Sequence, residues 1–249
     1  TGAAAAMNTA YASNGITGLA NEAITLDDTS LAVATLNTLN GNTTGVVNAA
    51  TVTTLTGAAA AMNTAYTAAG NNEISNLGNE AITLDDTSLA VATLNTLDGN
   101  TTGAVNAATV TTLTGAAAAM NTAYASNGIT GLANEAITLD DTTLAVTVLN
   151  TLDGNTTGAV NAATITTLTG LAADANTAYA SSGISGLGNE AVTLTDTAGV
   201  ALTIHTLDSN TTGSVDASTV TSVTGVSPTV ITIYNCLLYT SDAADEQDR

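Results

Sequence analysis

Three adjacent pairs of acids recur along the chain: Asp27-Asp28, Asp85-Asp86 and Asp140-Asp141, with Thr195-Asp196 in the same place a fourth time. Stacked carboxylates at strand ends suit a hard cation, since Ca²⁺ takes about six to eight oxygen ligands. The same residues suit the start of a helix, where a side-chain oxygen accepts a free amide and the charge meets the positive end of the dipole. Capping is the preferred reading, because the glycine–aspartate nonapeptide of calcium-binding rolls is absent. No cofactor is therefore expected, calcium being the one candidate.

Hydroxyls come next. Thr-x-Thr pairs stand at Thr51/Thr53, Thr109/Thr111, Thr164/Thr166 and Thr219/Thr221. Flat arrays of such pairs bind ice in some solenoids, but one pair per repeat is sparse and ordinary β-propensity accounts for it better. Asn42-Thr43-Thr44, Asn100-Thr101-Thr102, Asn155-Thr156-Thr157 and Asn210-Thr211-Thr212 fit the N-glycosylation acceptor pattern, and Asn-Thr-Thr-Gly is equally good turn chemistry. His205, the one histidine, replaces the Asn at Asn37, Asn95 and Asn150 and has no nucleophile or acid pattern around it. Catalysis needs an unlike set of nucleophile, base and stabiliser. Near-identical repeats supply none, so no enzyme activity is expected.

These residues are positioned by a repeat. Thr1-Gly2-Ala3-Ala4-Ala5-Ala6-Met7-Asn8-Thr9-Ala10-Tyr11 returns at Thr56, Thr114 and, altered, Thr169, with a fifth start at Thr224; the spacings are 55, 58, 55 and 55 residues. The long unit carries its extra residues around Gly70-Asn71-Asn72-Glu73, as a loop insertion. The array occupies 1–225, and 226–235 is a divergent start of a fifth unit. Residues 236–249 hold the one Cys, the one Gln and the one basic residue, Arg249. Cys236 to Glu246 resembles the conceptual translation of a transposon-end sequencing adaptor. The tail is thus expected to be an artefact and the true C-terminus to be truncated, which leaves cysteine chemistry out of the argument.

Within one unit, Glu22-Ala23-Ile24-Thr25-Leu26 alternates as a short strand. Asp27 to Ser30 offers caps for a helix with Ala32, Leu36 and Leu39 on one face, stopped at Asn40-Gly41. The second half repeats the plan, with strand Ala50 to Leu55, cap Thr56, and a helix from Ala58 to Tyr66. Gly15, Gly128 and Gly183 end the corresponding helices. The recurring Asn37, Asn63, Asn95, Asn121, Asn150 and Asn176 form either a ladder between coils or solvent-facing turns. Strands alternating with short helices imply parallel strands and right-handed crossovers. The expected fold is an α/β repeat solenoid of short parallel strands and Ala-rich helices, leucine-rich-repeat-like, with an all-β solenoid as the alternative.

The chain has 21 acidic residues against one basic, and 17 against none in 1–235. Such a field excludes direct binding to nucleic acid or anionic membranes and favours solubility. No apolar run approaches the roughly 18 residues of a spanning helix. The strings at 9–26, 122–139 and 177–194, and Leu-Asn-Thr-Leu-Asp-Gly-Asn-Thr-Thr-Gly at 94–103 and 149–158, resemble repeats of very long proteins from marine cyanobacteria and plankton metagenomes. That resemblance implies an extracellular or cell-surface location and assigns no functional residue. The expected function is a structural or adhesive stalk. Repeats that bind calcium or glycans, and an ice-binding solenoid, are the alternatives. Expected partners are cell-surface glycans or neighbouring repeats of the same chain.

Overall fold

The structure, a computed structural model, describes residues 1–226 and residue 229. The tail 236–249 and, apart from Val226 and Thr229, the divergent segment 226–235 lie outside the described residues. The chain forms two compact units, Thr1–Ile137 and Thr138–Arg249.

In the first unit five short helices follow one another: α1 (Ala4–Tyr11), α2 (Val33–Asn42), α3 (Ala59–Gly70), α4 (Val91–Asn100) and α5 (Ala117–Ala125). Ala-rich helices (α1, α3, α5) alternate with Leu-rich ones (α2, α4), and each packs on the next. Between helices the chain runs through strands of two to four residues, all paired in parallel. One ladder runs Ser30–Ala32, Thr54–Gly57, Ala81–Leu84, Val105–Asn106, Ile129–Thr130. Its register aligns Leu31, Leu55, Ile82, Val105 and Ile129 in a single row, each at most 8% exposed. The outward row beside it is Ala32, Thr56, Thr83, Asn106 and Thr130. Burying each large aliphatic contributes about 1.5–3 kcal/mol.

The ladder begins on the strand ahead of a Leu-rich helix and ends on the strand after an Ala-rich helix. It therefore crosses the coils obliquely, because the strand side advances fewer residues per coil than the helix side. A two-strand plan per unit misses this, and with it the strands Ser30–Ala32, Val47–Asn48 and Ile74–Ser75. Two residues are too few to show a period.

The second unit repeats the scheme with α6 (Val146–Asn155), α7 (Ala172–Ala180) and α8 (Ala201–Asn210). Its main ladder is Thr143–Ala145, Thr167–Gly170, Ala191–Leu194, Val215–Asp216, again parallel. The Ala-Ala-Ala-Ala-Met run is helical, so the architecture is the α/β solenoid and not the all-β one.

Local expectations need five corrections. The α2 helix starts at Val33 after an extended Ala32, so Val33, Leu36 and Leu39 are its buried face and Ala32 is not. It runs through Asn40-Gly41 to Asn42, since the following Asn-Thr-Thr-Gly turn ends it. Thr56 lies in a strand that continues to Gly57, and the residue before α3 is Ala58, which makes no side-chain cap. The insertion in the long unit lengthens α3 to Gly70, and Asn72 then turns the chain at φ 63°. Gly15, Gly128 and Gly183 follow helices that have already ended at Tyr11, Ala125 and Ala180.

Candidate functional site

The acid pairs stand at the ends of the strands, two coils apart. The first acid of each pair (Asp27, Asp85, Asp140) is exposed and the second (Asp28, Asp86, Asp141) half-buried. Asp28 Oδ2 accepts the Ala4 amide at 2.8 Å and Asp86 Oδ2 the Ala59 amide at 2.7 Å. Asp196 does the same for Ala172 at 2.8 Å. These amides belong to the first residues of α1, α3 and α7, none of which has a side-chain cap of its own. The second acid caps a helix, but the helix of the coil before it and not the one that follows. Asp27 and Asp85 are separated by two rungs, about 10 Å at the spacing of parallel strands. Among the described residues no three His, Cys, Asp or Glu side chains are grouped to hold a metal.

The recurring Asn side chains join helix to helix. Asn8 donates to Thr35 O, Asn37 to Ala61 O, Asn63 to Thr93 O and Asn95 to Ala119 O, at 2.9–3.1 Å. In the second unit Asn150 reaches Asp174 O and Asn176 reaches Thr203 O, both at 2.9 Å. Of the two readings, the inter-coil ladder is the one adopted. His205 takes the corresponding place on α8, half-buried. The glycosylation-pattern residues feed the same ladder: Asn42 donates to Asn8 Oδ1, Asn100 to Asn63 Oδ1 and Asn210 to Asn176 Oδ1, each at 3.0 Å.

The most buried chemistry was not visible as chemistry in the sequence. Glu80, Glu135 and Glu190 are fully buried. Glu80 Oε2 accepts the Tyr66 hydroxyl at 2.9 Å and the amides of Gly78 and Asn79 at 2.9 and 3.2 Å. Glu190 Oε2 accepts Tyr179 at 2.9 Å and Gly188 at 2.8 Å, and Tyr124 reaches Glu135 at 2.7 Å. Oε1 of Glu80 and of Glu190 is buried without a partner. Burial pushes the Tyr179 phenol up to about 12, and pushes Tyr66 up as well, with Glu80 adding to the shift. The half-buried Glu22 of the first coil is held below its ordinary value by its own backbone amide, with help from Tyr11.

The next coil closes over each glutamate. Thr101 Oγ1 donates to Glu80 O at 2.9 Å, as Thr43 does to Glu22 O at 2.8 Å and Thr211 to Glu190 O at 2.7 Å. Thr102 N donates to Gly78 O at 2.8 Å. Gly103 lies so close to the Glu80 carbonyl that no Cβ fits there. The recurring Asn-Glu and Asn-Thr-Thr-Gly strings of the repeat thus recognise each other across one coil. A recurring Glu 11–14 residues after each repeat Tyr, in a chain with almost no cations, was the signal available.

A further polar pair varies with its surroundings. Ser126 donates to Asp98 Oδ2 and Ser181 to Asp153 Oδ2, both at 2.7 Å. Beside the long unit, Asn40 of the preceding one stands in place of the Asp and donates to Glu73 of the insertion at 3.1 Å.

The Thr-x-Thr hydroxyls are also used internally. Thr51 and Thr53 donate to Leu26 O and Thr29 O at 3.0 and 3.1 Å, and Thr109 and Thr111 to Leu84 O and Thr87 O at 2.9 and 3.0 Å. A surface trough of about 350 Å³ over Ala32, Thr56, Gly57, Thr83 and Asp85 brings together small side chains and one carboxylate. No helix among the described residues is long and apolar enough to cross a membrane.

Fold and contacts together define an α/β solenoid repeat protein whose coils are joined by recurring polar contacts. No protein-family model, curated protein or solved structure matches the chain.

Proposed function

We propose that the chain is a structural or adhesive spacer, part of a large extracellular or cell-surface protein, and that it performs no catalysis. The observation that carries this reading is where the recurring polar groups go: the capping Asp, the Asn ladder, the backbone carbonyl of the buried Glu and the paired Thr each bond to a neighbouring coil. A net charge of −20 supports solubility in a crowded, salty exterior. Exposed Asp27, Asp85 and Asp140 are what remains for calcium, and loop faces are what remains for glycans.

The test is to sequence the source locus past both ends of this chain. Repeats that continue to a secretion signal or surface anchor support the spacer. A frame that enters a catalytic module overturns it, making the array an accessory linker.

A further inference from the structure

Three polar side chains line the surface trough of the first unit without being spent on a neighbouring coil. Thr51 and Thr53 donate to carbonyls and Asp86 caps α3, whereas Thr56, Thr83 and Asp85 make no side-chain hydrogen bond among the described residues. The strand register sets Thr56 beside Thr83, about 4.8 Å away. Asp85 stands two residues beyond Thr83, its amide on Gly57 O at 3.4 Å. The apolar lining includes the methyls of Ala32, Ala58 and Ala61, at the starts of α2 and α3, and the volume is about 350 Å³. With α1 packed before this pair of helices and α4 after it, the trough lies within the run of coils.

One carboxylate and two hydroxyl oxygens match the three N–H donors of an alkylammonium, and alanine methyls suit the four-carbon stem of a lysine. The chain cannot supply that group itself, since residues 1–235 hold 17 acids and no Lys or Arg. The cation must come from another molecule, which the net charge of −20 attracts. An anion is repelled by that field and by Asp85. The first amide of α3 is already taken by Asp86 at 2.7 Å, which leaves Asp85 as the unspent charge. In the second unit the counterparts change together: Leu171 stands for Ala58, Asp174 for Ala61 and Thr195 for Asp85. The open floor and the carboxylate beside the threonines are lost at once there, which separates the trough from the fold that carries it.

We propose that the trough is a docking site for a lysine side chain of a cationic partner protein. Asp85 holds the ammonium with Thr56 and Thr83, and the stem lies on Ala32, Ala58 and Ala61. Charge complementarity carries the choice of partner, and the unspent oxygens carry the choice of place. The contact weakens as salt is added, because its leading interaction is between charges at the surface. It goes beyond the spacer reading and does not rest on it: a trough that takes no lysine leaves the spacer as it stands.

The test is a nuclear magnetic resonance titration of the full chain, labelled with nitrogen-15 and kept reduced. The probe is the acetylated and amidated peptide Gly-Gly-Lys-Gly-Gly, read at the amides of Gly57, Thr83 and Asp85. The expected result is a saturable shift at those amides, and none from the same peptide with norleucine or acetyl-lysine in place of lysine. Asp85→Asn is expected to weaken binding by roughly tenfold. Asp208→Asn, which removes the same charge from α8, leaves it unchanged. Ala58→Leu copies Leu171 and abolishes the shift, and the dispersion of the spectra shows that each variant remains folded. No saturable shift at these amides, equal weakening by Asp208→Asn, or equal binding of the norleucine peptide each overturns the proposal. So does saturation of the same amides by maltose or inorganic phosphate where the lysine peptide has no effect.

Discussion

The Asp86 carboxylate accepts the Ala59 amide at 2.7 Å, from 27 residues further along the chain. An acid placed after one strand thus caps the helix of the coil before it and joins the two. Replacing Asp86 with Ala removes a helix cap and is expected to cost about 1 kcal/mol. Asp85→Ala, one residue away and exposed, is expected to change stability little. Urea unfolding of both variants checks this. Equal losses at the two positions would show that the pair acts through charge alone.

Much of the solenoid was legible because its signals are local and repeated. The Ala59–Gly70 helix is written in strong helix formers, and the strand Ala81–Leu84 in strict alternation. Leu36, Leu39, Met62 and Tyr66 fall in the core as their spacing implies. The contacts between coils were not legible, because each joins residues about 24 positions apart and no periodicity names the partner. The sequence points Asp28 to the helix that follows it, the neighbour along the chain, whereas its carboxylate caps the helix before it. Strand alternation puts Glu22, the counterpart of Glu80, at a strand edge, where a carboxylate is normally exposed. Only the structure places Tyr66 and two amides around Glu80.

The buried tyrosines set an alkaline limit. Tyr179 is pushed up to about 12 from an ordinary 10.0, and Tyr66 is raised too, both by burial first and by their glutamates. A phenol whose folded pKa is raised holds its proton more firmly when folded. Its contribution is fully present below the unfolded value and is lost as pH rises toward the folded one. The melting temperature is therefore expected to fall from about pH 10 upward. The Tyr66→Phe/Tyr179→Phe double variant, already less stable at neutral pH for want of two hydrogen bonds, should show a shallower fall. An identical alkaline slope in both proteins would place the titration elsewhere.

Asn40 and Glu73 make a pair that the other units do not use. Asp98 and Asp153 occupy the matching position opposite serines. Asn40→Asp copies those units locally, yet here it sets a second carboxylate against Glu73. The expected loss is about 0.5 kcal/mol at low salt, in the range of exposed charge pairs. It should shrink in high salt and vanish when Glu73→Gln is added. Persistence of the loss in the double variant would mean that Asn40 matters for its amide alone. With that pairing, the long unit is tuned to its own neighbour.

Two glycines four residues apart separate close packing from chain flexibility. Gly103 sits against the Glu80 carbonyl, where an added Cβ collides with backbone that cannot move without opening the coil. Gly99 lies inside α4 with nothing within 4 Å of an added Cβ. Gly99→Ala is expected to stabilise by about 0.5–1 kcal/mol, since alanine favours a helix and restricts the unfolded chain. Gly103→Ala is expected to destabilise by more than about 2 kcal/mol, because the clamp on Glu80 has to open and its donors lose their acceptor. Thermal melts of both variants are the check, with hydrogen exchange at the Gly78 and Asn79 amides as the local readout. Faster exchange there in Gly103→Ala, and unchanged exchange in Gly99→Ala, locates the effect at the clamp. A Gly103→Ala variant as stable as the parent would mean that the Asn-Thr-Thr-Gly turn yields without disturbing the glutamate.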